Sequence, residues 1–180
     1  MKRIQYRVMG RDIAGNCIKY RKEIENMSVD KVREYLKQYQ LEDRVMEFEV
    51  SSATVDLAAE GVGVEPDMIA KTLSFAKGDG CILVVAAGKH KIDNKKFKQT
   101  FFMKAKMLSA EDALRLTGHA VGGVCPFDVP EEVEVYLDEA LKAYDIIYPA
   151  AGSASSAVKM TPEELFESSR ARGWVDVCKL

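Results

Sequence analysis

Apolar and polar residues alternate with two different periods along this chain, and the changes of period predict its elements. Val29, Val32, Leu36 and Tyr39 recur at helical spacing behind Ser28, a good N-cap, whereas Met46, Phe48 and Val50 alternate with Glu47 and Glu49. A helix followed by a half-buried strand is expected there. Thr54 caps a short helix through Val55, Ala58 and Ala59 that Gly61 and Gly63 end, and Pro66 suits the first position of another turn. Leu73 and Phe75 then lead into a strand, Lys77-Gly78-Asp79-Gly80 turns the chain, and the run Cys81 to Ala86 reads as a buried strand. This predicts a β-hairpin with Lys71 near one end.

Asp93 opens a helix to about Thr100, and Ser109 caps another that reaches Leu116 and stops at Gly118, with a short strand expected before the glycine pair that follows. Val133, Val135 and Leu137 alternate as a strand, as do Ile146 and Tyr148, then Val158 and Met160. Thr161-Pro162-Glu163-Glu164 is a capping box with proline at the first helical position, so a last helix runs to about Arg172. Strands outnumber helices and do not alternate steadily with them. The class is therefore α+β, with a curled, barrel-like, largely antiparallel or mixed β-sheet and flanking helices.

A chain of 180 residues with 47% hydrophobic content supports one sizeable core, and no proline- or serine-rich linker divides it. Residues 27–180 read as one domain and residues 1–26 as an N-terminal extension. Within the extension, Ile4, Tyr6 and Val8 alternate as a strand and Ala14-Gly15-Asn16 turns toward Cys17 to Tyr20, which makes a hairpin against the sheet or a second copy one reading. The other is that Met27 is the native start, because Lys22-Glu23 can be encoded by a purine-rich, ribosome-binding-like stretch. No segment has the apolar length of a membrane helix or of a secretory signal, so a cytoplasmic protein is expected. The four cysteines, Cys17, Cys81, Cys125 and Cys178, are scattered and form no metal-spaced cluster with histidine. Reduced thiols and no metal follow.

A net charge of -2 argues against general nucleic-acid coating, but the charges are unevenly placed. Lys89, Lys91, Lys95, Lys96, Lys98, Lys104 and Lys106 are opposed between them only by Asp93, whereas Asp128 to Glu139 is acidic. Two features carry candidate chemistry. Lys71 is a lone cation in a mostly apolar segment, where an unpaired buried ammonium is costly. The run Thr117-Gly118-His119-Ala120-Val121-Gly122-Gly123-Val124-Cys125-Pro126-Phe127 pairs glycines with a proline, giving a backbone that can press N–H groups against a ligand. Cys125 with His119 as base would make a thiol hydrolase, although no third orienting group is evident.

With Ala151-Gly152-Ser153 and Val135-Tyr136-Leu137-Asp138 added in order, the chain from Met27 to about Gly173 resembles the YbaK/prolyl-tRNA-synthetase-associated editing family. The resemblance implies a free-standing domain that deacylates mischarged aminoacyl-tRNA, with no metal or organic cofactor. It implies Lys71, Gly122, Gly123 and Ser153 as catalytic, and His119, Val124, Pro126, Gly152 and Asp138 as substrate-binding. Lys89, Lys91, Lys95, Lys96 and Lys98 become the candidate tRNA surface, since phosphate contacts near the pocket would hold an acceptor end. Implied partners are the tRNA acceptor end with its amino acid and prolyl-tRNA synthetase, without a membrane, and the extension offers a homo-oligomer contact. The competing class is a non-catalytic domain that senses an amino acid or tRNA end, or docks on a synthetase. Two departures from the family pattern bear on specificity: Ala154-Ser155-Ser156 where a basic or amide residue often follows the glycine, and Asp128 where many relatives carry glycine.

Overall fold

A computed structural model describes residues 27–48 and 54–180. The expectations for the extension and for Val50 lie outside these residues. Helix α1 covers residues 27–36 and buries Val29, Val32 and Leu36 on one stripe. Ser28 sits inside α1 rather than capping it, and its Oγ meets His119 Nδ1 at 3.2 Å.

Strand β1 (Val45–Glu47) pairs with the later strand β7 (Ser156–Val158). Helix α2 (Val55–Val62) is capped by Thr54, whose side chain accepts the Leu57 N–H, and continues through Gly61 to Gly63, which ends it in the left-handed region. The predicted hairpin is β2 (Ile69–Lys77) with β3 (Gly80–Ala87), and Lys71 lies opposite Ala86. After the short β4 (Lys91–Ile92) come α3 (Asn94–Phe101), capped by Asp93, and α4 (Ala110–Thr117), capped by Ser109. Strands β5 (Glu134–Asp138) and β6 (Tyr148–Pro149) follow, and α5 (Pro162–Ser168) begins at the predicted capping box.

Five strands form one curled sheet in the order β6-β2-β3-β5-β8, where β8 is Gly173–Val175. Its pairings are mixed: β2 with β3 is antiparallel, and the other three are parallel. The period of two divides β3 between two cores. Leu83, Val85 and Ala87 join the core with α1 and α5, whereas Ile82, Val84 and Ala86 meet Phe75 and Phe97 on the α3 side. Coverage on both faces explains why β3 is apolar throughout.

Two further expectations are corrected. No strand separates α4 from the glycine pair, because Gly118 ends α4 and the chain goes straight into turns. Helix α5 stops at Ser168 rather than near Arg172: Arg170 adopts φ 52, and the Arg172 N–H already donates to Val135 O at 2.8 Å. The chain then supplies two strands the periodicity did not predict, β8 on β5 and β9 (Cys178–Lys179) on β4.

Candidate functional site

The edge of β2 away from β3 is only partly covered. Strand β6 pairs with it at Ile69 and Ala70, and residues 106–108 close on it farther along, through Ala76 N–H to Lys106 O and Leu108 N–H to Ser74 O. Between these lies a 340 Å³ cleft walled by Lys71 and Thr72 of β2, Gly122 and Val124 of the glycine loop, and Tyr148 and Ser156. Phe48, Val55, Ala58 and Leu108 add apolar surface.

Lys71 is half-buried and donates from Nζ to Gly88 O at 2.7 Å. No carboxylate among the described residues forms an ion pair with it. Burial holds its ammonium below the usual lysine range, with the charge of Lys91 acting in the same direction against Cys178 and Asp67. The result is a desolvated cation with donors to spare. Beside it, Thr72 Oγ1 is buried without a hydrogen-bond partner among the described residues. An unsatisfied hydroxyl at a cleft wall is available to a ligand.

The glycine loop is built by its own polar groups. Thr117 Oγ1 donates to Ala113 O and accepts the His119 N–H, and the Gly123 N–H donates to Ala120 O at 3.0 Å. Gly123 therefore offers no donor to the cleft, contrary to the expectation for it. The N–H groups of Gly122 and Val124 have no hydrogen-bond acceptor among the described residues, and both residues line the cleft. Gly123 instead packs on the second loop: a Cβ there would lie 2.6 Å from Ser153 Cα and 2.7 Å from Gly152 O. The two loops singled out in sequence thus touch each other through backbone.

Other expected site residues hold the loops rather than face the cleft. Ser153 is buried, donates from Oγ to Ser156 Oγ at 2.9 Å and accepts the Ser155 N–H, so its groups are spent on the turn. Ser156, three residues on, is the serine at the cleft wall. Gly152, with φ 93, packs against Ser28, and Pro126 is buried beneath the loop; neither lines the cleft. Asp138 caps the following turn through the Ala140 N–H and accepts from Val177 and Cys178 N–H at 3.0 and 3.1 Å. It binds the C-terminal segment and forms no ion pair with Lys71. Asp138→Ala should strand these three donors and lower stability by about 3 kcal/mol, a fall in Tm of about 6–12 °C measurable by thermal denaturation.

His119 is buried beside a separate 180 Å³ cavity that Lys31 and Asp128 also line. Its Nε2 lies 2.9 Å from Phe127 O and its Nδ1 faces Ser28 Oγ, so a neutral ring donates to the carbonyl and accepts the hydroxyl proton. Burial lowers its pKa below 6.5, with Lys31 acting in the same direction against the Phe127 carbonyl and Asp128. Acid then protonates the unfolded histidine before the folded one. The contribution of His119 to stability should be complete well above pH 6.5 and be lost as pH falls through it, a slope that His119→Gln should reduce in melts between pH 7.5 and about 5.5. Cys125 Sγ lies 3.4 Å from His119 Nε2, but burial pushes the thiol up to about 12. A neutral thiol beside a histidine that donates elsewhere is not an activated nucleophile.

The basic stretch is mostly unpaired. Lys89, Lys91, Lys95 and Lys98 are exposed without a carboxylate partner among the described residues, whereas Lys96 turns back to Asp176 at 2.6 Å and Cys178 O at 3.1 Å. Among the described residues no group of three or more metal-ligating side chains is gathered, and no helix is long and apolar enough to cross a membrane.

A curled α+β sheet with a lysine and a glycine-loop backbone facing one cleft defines a class, and comparison with known proteins identifies it. Residues 49–167 match the aminoacyl-tRNA editing domain, and the chain belongs to that family. It is 53% identical over 154 residues to the uncharacterized protein YwhH of Bacillus subtilis, which covers 85% of this chain and 98% of YwhH. EbsC of Enterococcus faecalis, described as a proposed Cys-tRNA(Pro)/Cys-tRNA(Cys) deacylase, is 29% identical over 62% of this chain and 70% of its own. A crystal structure described as a proposed trans-editing enzyme for prolyl-tRNA synthetase superposes with a TM-score of 0.77 at 29% identity, over 85% of this chain and 98% of that one. The proline–tRNA ligase of Lysinibacillus sphaericus is 31% identical over half of this chain, a match spanning 16% of the ligase.

Proposed function

We propose that this protein hydrolyses, in trans, the ester of tRNA-Pro mischarged with a small amino acid. The observation that carries the reading is a single cleft that holds, among the described residues, a half-desolvated Lys71 in no ion pair and the N–H groups of Gly122 and Val124 without an acceptor. Water adds to the ester carbonyl, the carbonyl oxygen takes up negative charge, and the bond to the ribose oxygen breaks. The amino acid and a tRNA with a free terminal hydroxyl leave. Lys71 and the two N–H groups stabilise the oxyanion, and since the ester is already activated, this needs no strong general base. Thr72 Oγ1 accepts a hydrogen bond from the substrate's α-ammonium, and the apolar walls limit the side chain.

The likeness to EbsC and to part of a proline–tRNA ligase supports tRNA-Pro as the carrier and prolyl-tRNA synthetase as an associate. The site of action in this reading is the cytoplasm, where aminoacyl-tRNA is made. Residues 27–180 constitute the editing unit, because α1 packs through Ser28 on both Gly152 and His119. The test is a panel of alanyl-, cysteinyl- and seryl-tRNA-Pro with prolyl-tRNA-Pro as the correct pairing. Faster release of at least one wrong amino acid supports the reading, and release of none removes it.

A further inference from the structure

We propose that Phe102 is a stacking platform for a nucleobase of the single-stranded acceptor end, with Lys98, Lys104 and Lys106 holding the adjoining phosphates; this rests on the deacylase reading above. Phe102 is 90% exposed, although its neighbours Phe101, Met103 and Ala105 pack into the core on the α3 side. Even-numbered Phe102, Lys104 and Lys106 are exposed while odd-numbered 101, 103 and 105 are half-buried, so one outward row carries the ring and two ammonium groups. On α3, Lys98 and Lys95 precede Phe102 by four and seven residues and extend the row along one helical face. None of these lysines has a carboxylate partner among the described residues.

The backbone sharpens the point. Phe102 ends α3 at φ 56, with its N–H on Lys98 O at 2.9 Å, a left-handed position that glycine or asparagine fills with less strain. A bulky aromatic held there, facing solvent, serves neither the helix nor the core. The platform is also continuous with the cleft. Five residues on, Met107 bridges to Phe75 on β2 and lines the cleft, so ring and site are separated by at most about 17 Å of extended chain. An aromatic face accepts any base, and flanking ammonium groups follow the backbone, which is how single strands are held without sequence readout.

The test uses the full chain and uncharged tRNA-Pro, intact or trimmed of its single-stranded 3′ end. Phe102→Gly removes the ring while suiting the left-handed backbone, so its Tm should be no lower than wild type. It should weaken binding of intact tRNA about tenfold or more, leave binding of trimmed tRNA unchanged, and be rescued by Phe102→Trp. Equal binding of intact tRNA by Phe102→Gly and wild type overturns the platform, as does an equal loss with trimmed tRNA. So does a loss confined to a protein partner such as the synthetase. Because the readout is binding, the platform survives if wild type proves unable to hydrolyse any mischarged tRNA, and the deacylase reading alone then fails.

Discussion

Lys71→Ala should lower the rate of deacylation about 100- to 1000-fold while leaving the protein folded. The ammonium is half-desolvated, in no ion pair with a carboxylate among the described residues, and located at the cleft with the two N–H groups. In such a place a cation acts more strongly on a developing oxyanion than it would in water, because less solvent screens it. Among the described residues its hydrogen bond is to Gly88 O, so truncation removes one donor from that carbonyl while relieving a desolvation cost. The melting temperature should thus change little. Single-turnover measurements should show the loss in the chemical step, with substrate affinity nearly unchanged, since the interaction is strongest in the transition state. A variant within tenfold of wild type would remove Lys71 from the mechanism. Lys71→Arg separates charge from shape: a planar guanidinium cannot follow the same path to Gly88 O, so partial recovery at best is expected.

Local signals in the sequence located what local physics determines. Thr54, Asp93, Ser109 and Thr161 each accept the backbone N–H groups that caps are expected to accept, and the Lys77 to Gly80 turn sets the β2–β3 register. Lys71 was legible for the same reason, as a cation in an apolar strand. What depended on distant chain was not legible. β8 and β9 are too short to show a period, and they form because β5 and β4 offer open edges. Alternation assigns Lys71 and Thr72 to opposite faces of β2, yet both reach the cleft because it opens at the strand's uncovered edge. Ser153 and Asp138 build loops here, and a residue that builds a loop and one that faces a ligand have the same signature in sequence. The Ser153-x-x-Ser156 spacing is the signal that could have exposed the difference, as the second serine takes the cleft wall only because the first closes the turn.

Gly123→Ala should damage stability and activity together, and for a reason different from the left-handed glycines around it. Gly123 is buried, and a Cβ there would meet Ser153 Cα, Gly152 O and Gly152 C at 2.6, 2.7 and 2.8 Å, all backbone atoms without a rotamer to retreat into. The second loop cannot easily yield, because Gly152 is itself pressed against Ser28 of α1, and Ser153 is fixed to Ser156 by three hydrogen bonds. Overpacking of this kind costs ~1–3 kcal/mol, so a fall in Tm of about 2–12 °C is expected. The displacement passes directly to Gly122 and Val124, which flank the substituted residue and supply the unpaired N–H groups. Donors moved by ~1 Å no longer meet the oxyanion, which costs about 100-fold in rate. Gly78→Ala is the control: its φ of 58 strains an alanine, but nothing lies within 4 Å of the new Cβ and the turn is remote in the hairpin from Lys71. It should lose some stability and keep its deacylation rate. If Gly123→Ala melted and turned over like wild type, the two loops would not be braced on each other, and backbone donors at this loop would have no claim on the chemistry.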